Sequence, residues 1–260
     1  MIKRLLLIGI PFAILISAEP LLRLHWMYLG LGGALFLAIA FVANPAAWNG
    51  RRSPLALLFA YLLHQFEEHG VDALGNVYAF QASANGLLGP VLGCGSGGEC
   101  PLTVDAIFWA NTLLVWWPYT LALAFGVERR ALLLGVAGLT LANALAHVLP
   151  AVATGSYNPG LLSALVLFLP VGVTVLWQAH QAWGASRGAM ALGFLWGALA
   201  HPLLALAAFA VYERGVAPPW LYPTILFVYA CLPLLIRQRF ALRSDASSLG
   251  DERAKPQGKP

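Results

Sequence analysis

His64-Gln65-Phe66-Glu67-Glu68-His69 interrupts a run from Pro54 to Phe80 that is otherwise mostly apolar and reads as membrane helix. At helical spacing His64, Glu67 and Glu68 share one face. An ionisable side chain near a bilayer centre costs roughly 2.5 to 3.5 kcal/mol even on the lenient insertion scale. Three of them on one stripe therefore mark a functional site.

The surrounding chain has the composition this reading needs. Its 260 residues are 60% hydrophobic and only 10% charged, with a mean hydropathy of +0.74, which leaves too few charges to cover a soluble surface. The expected fold is all-α, a polytopic transmembrane helix bundle of seven or eight segments, with the lipid bilayer as its first partner. The formal charge of +4 comes from basic pairs between apolar segments and from a sparse basic tail. That is a topology signal and no phosphate-binding patch, so nucleic acid is excluded as a partner.

Residues 1–18 have the parts of a signal peptide or an uncleaved signal anchor: Lys3 and Arg4, a short apolar run, then Ser17-Ala18. Residues 19–236 make the bundle, and 237–260 form a polar, cytoplasmic tail expected to be disordered. The third segment carries the His-Glu cluster and runs out into a Gly- and Ser-rich loop, residues 81–103. Alternating the connections puts Arg51, Arg52, Arg129, Arg130, Arg187 and the tail on one side, with only Arg23 and Arg214 on the other. The positive-inside rule makes the basic side cytoplasmic, as for a multi-pass protein of the cell (inner) membrane with its C-terminus inside. Cys94 and Cys100 then share an extracytoplasmic loop, where they form a disulfide or stand as an unpaired thiol pair.

Depth joins the cluster to other helices. Counting about 1.5 Å per residue from the cytoplasmic ends, His64 and Glu68 lie roughly 15 and 21 Å in, and Asn143 and His147 roughly 17 and 23 Å in. Asn111 and His201 reach about the same height. Four helices thus place polar residues in one slab, as a single buried cavity requires.

An i, i+4 pair such as His64 and Glu68 can grip one metal ion from one helix, with His147 as third ligand and Glu67 as general base. Three N and O ligands leave a position open, the arrangement of a catalytic zinc, and carboxylate ligation makes iron or manganese equally reasonable. Asn143 would serve as a supporting or substrate-binding partner, with Tyr157 near the outer mouth. His69 is about 140° around the helix from His64 and is left out of the ligand set. His25 and His180 read as solvated, and Asp72 and Asn76 as a polar approach from the outer face. The bland alternative is packing histidines. It fails on Glu67-Glu68, because two adjacent carboxylates with no Lys or Arg inside any segment need protons or a cation. A metal-dependent membrane enzyme acting on a lipid-soluble small molecule is the reading that follows, and a proton- or cation-coupled transporter is its competitor.

His64-x-x-Glu67-Glu68, then Asn143 and His147, then Tyr157-Asn158-Pro159-Gly160 resemble, in that order, the motifs of the HXXEE domain family of integral membrane proteins. The resemblance covers roughly residues 54–160 and implies a role for His64, Glu67, Glu68, His147, Tyr157 and Gly160. The membrane-embedded CAAX-type proteases also use a Glu-Glu pair. Their E-E-x-x-x-R pattern meets Asp72 here, and their H-x-x-x-N order is reversed in Asn143 and His147, so the likeness is one of chemistry and not of membership.

Overall fold

The computed structural model describes residues 17–18, 22–94 and 99–236, and it is all helical apart from one isolated bridge between Val71 and Val77. The readings made for residues 1–16, the leader in the main, and for the tail 237–260 lie outside the described residues. In chain order the helices are α1 (Trp26–Ala43), α2 (Arg52–His69), α3 (Phe80–Leu92), α4 (residues 104–125), α5 (Arg130–Thr154), α6 (Leu161–Gln181), α7 (Arg187–Glu213) and α8 (Leu221–Leu235).

Four helical stretches are long and apolar enough to cross a membrane: Trp26–Ala43, Val104–Thr154, Leu161–Gln181 and Arg187–Glu213. The second is 51 residues long and doubles back at Gly126, whose φ of +55° is open to glycine and strained for other residues. Its two halves pack antiparallel, with the Tyr119 hydroxyl bonded to Val136 O and Thr140 Oγ1. The outer surface carries many exposed Leu, Ile, Val and Phe side chains, Phe36, Ile39, Val152 and Leu235 among them. A solvated surface scatters such residues singly, whereas here they line whole helix faces.

Two expectations are corrected. The helix of the His-Glu cluster does not run to Phe80. It ends at His69, where Gly70 folds back so tightly that a Cβ there would lie 2.8 Å from Phe66 O. The stretch after it is not all loop, since Phe80–Leu92 is the helix α3. Glycine and serine in this stretch hid a helix whose side chains Gln81 and Asn85 bond the backbone of Leu102, and whose far end is closed by the Cys94–Cys100 disulfide. Ser53 lies inside the first turn of α2 and donates to Gln178 Oε1.

Helices α5 and α7 cross at backbone contact. A Cβ on Gly138 would lie 2.2 Å from Gly193 O, and one on Gly197 2.3 Å from Leu139 N. Apolar solvent would give two such helices no hydrophobic reason to associate, so close packing of small residues carries the contact. Helix α1 leans on α2 through Gly30 and Gly33, which lie against Leu62. The result brings α2, α4, α5, α6 and α7 around one buried region.

Candidate metal centre

His64 and Glu68 stand one turn apart on α2, and His147 reaches them from α5. All three are buried, and one ligand atom from each lies within 4.8 Å of the others. Phe168 lies tilted over the His64 ring at a centroid distance of 4.1 Å, and Tyr61 meets it edge-on at 5.8 Å. The rings are thus gripped by packing as well as by hydrogen bonds.

The hydrogen bonds fix the tautomers. Asn158 donates its Nδ2 to the backbone carbonyl of His147, so its Oδ1 faces His147 Nδ1 at 2.8 Å and must accept a proton from it. Ser163 Oγ donates to Gly160 O and therefore accepts from His64 Nδ1 at 2.9 Å. Both imidazoles carry their proton on Nδ1, and both Nε2 lone pairs point at Glu68. Among the described residues His64 Nε2 is a buried nitrogen without a hydrogen-bond partner. Fixing the outer ring nitrogen in this way is how proteins orient metal-ligating histidines.

The separations support the same reading. His64 Nε2 lies 3.4 Å from Glu68 Oε2, and His147 Nε2 lies 3.3 Å from Glu68 Oε1. Those distances exceed an ordinary N–H···O bond. They run to the two different oxygens of Glu68, and one ligand atom from each residue lies within 4.8 Å of the others, close enough for one ion to be shared. The donor set, two neutral imidazoles and one carboxylate, fits a divalent ion.

His69 stays outside the group that could hold an ion. Its backbone faces away from His64 around the helix, yet Glu68 swings toward it, and His69 Nε2 lies 3.0 Å from Glu68 Oε2. A buried relay from α4 reaches the same nitrogen. Trp116 Nε1 donates to Gln65 Oε1, Gln65 Nε2 to Asn111 Oδ1, and Asn111 Nδ2 to Ile107 O and His69 Nε2. An indole only donates, so the direction of the chain is set and His69 Nε2 is an acceptor. Its lone pair is thereby taken up by Asn111, although Glu68 Oε2 lies close by. Asn111 sits in a π-helical stretch, Ala110–Trp116, a widened turn that is common at functional sites.

Glu67, expected as general base, faces the other way. Its carboxylate accepts from Tyr157 Oη and Leu162 N on one oxygen and from Ser163 N on the other. It closes the first turn of α6, where backbone N–H groups lack helical partners. Tyr157 Oη also accepts from Ala73 N, which ties α2, the loop after it and the loop before α6 together. Burial and then the neighbouring Glu67 carboxylate raise the Tyr157 phenol above its ordinary value, against the Ala73 N–H.

Gly160 explains why the motif ends in glycine. At φ +90° it lies against both rings, and a Cβ would come 2.8 Å from Cε1 of His64 and of His147. Asp72, expected as a polar approach, instead closes its own turn, accepting from Leu74 N and from Asn76 N and Nδ2. Burial opposes its charge, but these bonds prevail and hold the carboxyl below its usual range. His25 and His180 are exposed, as expected.

A cavity of about 510 Å³ adjoins the cluster, and its wall includes Glu68, His69, His147, Asn143, Asn111 and His201. Asn143 donates to Tyr61 Oη on that wall. The depth count thus brought the right residues to one chamber. It missed Ser163 and Asn158, the ring-holding partners. Asn158 stood within the quoted Tyr157–Gly160 motif, whereas a lone serine at 163 carried no signal.

A helical bundle, with stretches fit to cross a membrane and a buried two-histidine, one-carboxylate cluster beside an apolar cavity, is the class of protein that fold and site define. Residues 55–175 match the family described as "Protein of unknown function with HXXEE motif". No curated protein and no solved structure matches the chain.

Proposed function

We propose that this is a multi-pass membrane protein, with its C-terminus cytoplasmic, that acts as a metal-dependent enzyme on a lipid-soluble molecule. The observation that carries the reading is the meeting of two acceptor lone pairs, His64 Nε2 and His147 Nε2, at one buried carboxylate, the first of them buried without a hydrogen-bond partner. A proton on Glu68 would satisfy one of them. A divalent cation answers the charge and two nitrogens at once, which places the enzyme reading ahead of a proton-coupled transporter.

His64, Glu68 and His147 are the ligands, with zinc, iron and manganese all compatible with the donor set. Such an ion supplies Lewis-acid polarisation of a bound oxygen. The chain's own groups do the rest. Ser163 and Asn158 hold the two rings in their tautomers, and Asn143 and Tyr61 offer polar contacts to a molecule in the cavity. Glu67 holds the loop before α6 against α2, so its contacts favour a positioning role over that of a base. His201 lines the same cavity with its Nδ1 given to Gly197 O, which leaves Nε2 as the acceptor the chamber offers for a proton.

Cobalt loading tests the site. Protein purified in mild detergent should take up cobalt with the intense visible absorption of four-coordinate geometry, and His147→Ala should abolish it. Absorption that is absent, or identical in the variant, defeats the reading.

A further inference from the structure

The cavity beside the cluster is lined mostly by apolar side chains. Its polar groups gather where α2, α5 and the loop before α6 meet, with Ser83 of α3, Asn111 of α4 and His201 of α7 on the facing walls. Opposite partners come from α3, α4 and α7. Phe80, Ser83, Ala84, Leu87 and Leu88, spaced as one helical face, form the α3 contribution. On α5 the lining runs from Leu139 through Asn143 and His147 to Pro150 along one face. Eleven helical rises make that wall about 16 Å long. No Lys or Arg is among the lining residues.

The rim carries a second message. Leu87 on α3, Ala146 on α5 and Pro202 on α7 all line the cavity and are all exposed. These three belong to helices whose outer faces are apolar, so the mouth they frame opens sideways toward lipid and not along a polar channel. We infer that the site's substrate is a single-chain amphiphile with a small, uncharged oxygen-bearing head, an alcohol or carbonyl, that enters laterally between α3, α5 and α7 and lays its chain in the cavity. The inference rests on the metal-centre reading and adds the class of molecule to it. A phosphate-bearing lipid is disfavoured, because its charge would enter a chamber to which the described residues bring no Lys or Arg.

Alkyl hydroxamates probe this directly, since the head is a metal ligand and the tail length is free. Zinc-loaded full-length protein in detergent is titrated with octanohydroxamic and acetohydroxamic acid, with correction for partition into empty micelles. Each buried methylene contributes about fourfold in affinity, so burial of half the six extra carbons gives roughly fiftyfold or more. Ala84→Phe, on the exposed-side helix α3, fills the chamber without touching a ligand. It should cut the octanoyl advantage to less than about tenfold while zinc content and acetohydroxamate binding hold. Ala205→Phe, from the α7 wall, repeats the test should the first variant fold poorly. Equal affinity for the two hydroxamates, an octanoyl advantage untouched by both fillings, or full displacement of octanohydroxamate by phosphatidylglycerol would overturn the inference and leave the metal centre standing. Absence of zinc together with no hydroxamate binding would remove both.

Discussion

Replacing Gly160 by alanine separates strain in the loop from damage to the metal centre. The backbone there has φ +90°, where an L side chain costs roughly 1 to 2 kcal/mol. The new Cβ would also lie 2.8 Å from Cε1 of both His64 and His147, whereas ordinary contact begins at 3.4 Å. Either ring, or the loop, must therefore yield by about 0.6 Å, against a tolerance of about 0.2 Å in ligand distances. Metal affinity should fall about 10- to 100-fold, the range found when the supports of a ligand are disturbed. Gly155→Ala is the control. Its φ of +64° imposes similar strain, but a Cβ there meets nothing within 4 Å, so it should lower stability alike and leave affinity unchanged. Chelator competition reports affinity and thermal unfolding in detergent reports stability. Equal metal affinity in wild type and Gly160→Ala would refute the contact argument.

Glu67→Gln should keep near-normal metal content but lower stability by about 1 to 3 kcal/mol, because an amide cannot accept all three donors that the carboxylate now satisfies; sharp metal loss on elemental analysis would show that Glu67 is a ligand after all. Gly197→Leu should unfold or disperse the α5–α7 pair, since its side chain would start 2.3 Å from Leu139 N, and wild-type melting behaviour would contradict that crossing. The depressed carboxyl of Asp72 stabilises its turn above the unfolded pKa of about 3.9 and loses that contribution as pH falls through the lower folded value. Amide exchange in residues 70–79 should therefore stay slow from neutrality to about pH 4 and rise only below it, and Asp72→Asn should remove the step; loosening already between pH 7 and 5 would point to another group.

Much of the site was legible because burial of charge is rare in apolar helices. His64, Glu68 and His147 announced themselves by type and depth, and Asn111, Asn143 and His201 by height alone. Rotation around the helix was a weaker guide. His69 points away from His64 by backbone angle, yet a glutamate side chain between them spans the gap, and the periodic count has no knowledge of side-chain rotamers. Glu67 shares the stripe but finds the free N–H groups at the start of α6, a partner that only tertiary structure supplies. Helix α3 was hidden by its glycines and by Pro90, which lower helix propensity until Leu102 and the Cys94–Cys100 bond anchor it. The α5–α7 crossing did have a sequence signal, Gly193-x-x-x-Gly197, which passed unread among the apolar residues.

Metal content tests the central claim most directly. Wild-type protein purified in mild detergent without chelator, followed by elemental analysis, should hold about one divalent transition metal per chain, and His64→Ala, Glu68→Ala and His147→Ala should each lose most of it. Substoichiometric metal in the wild type, unchanged by His64→Ala and His147→Ala, would contradict the account.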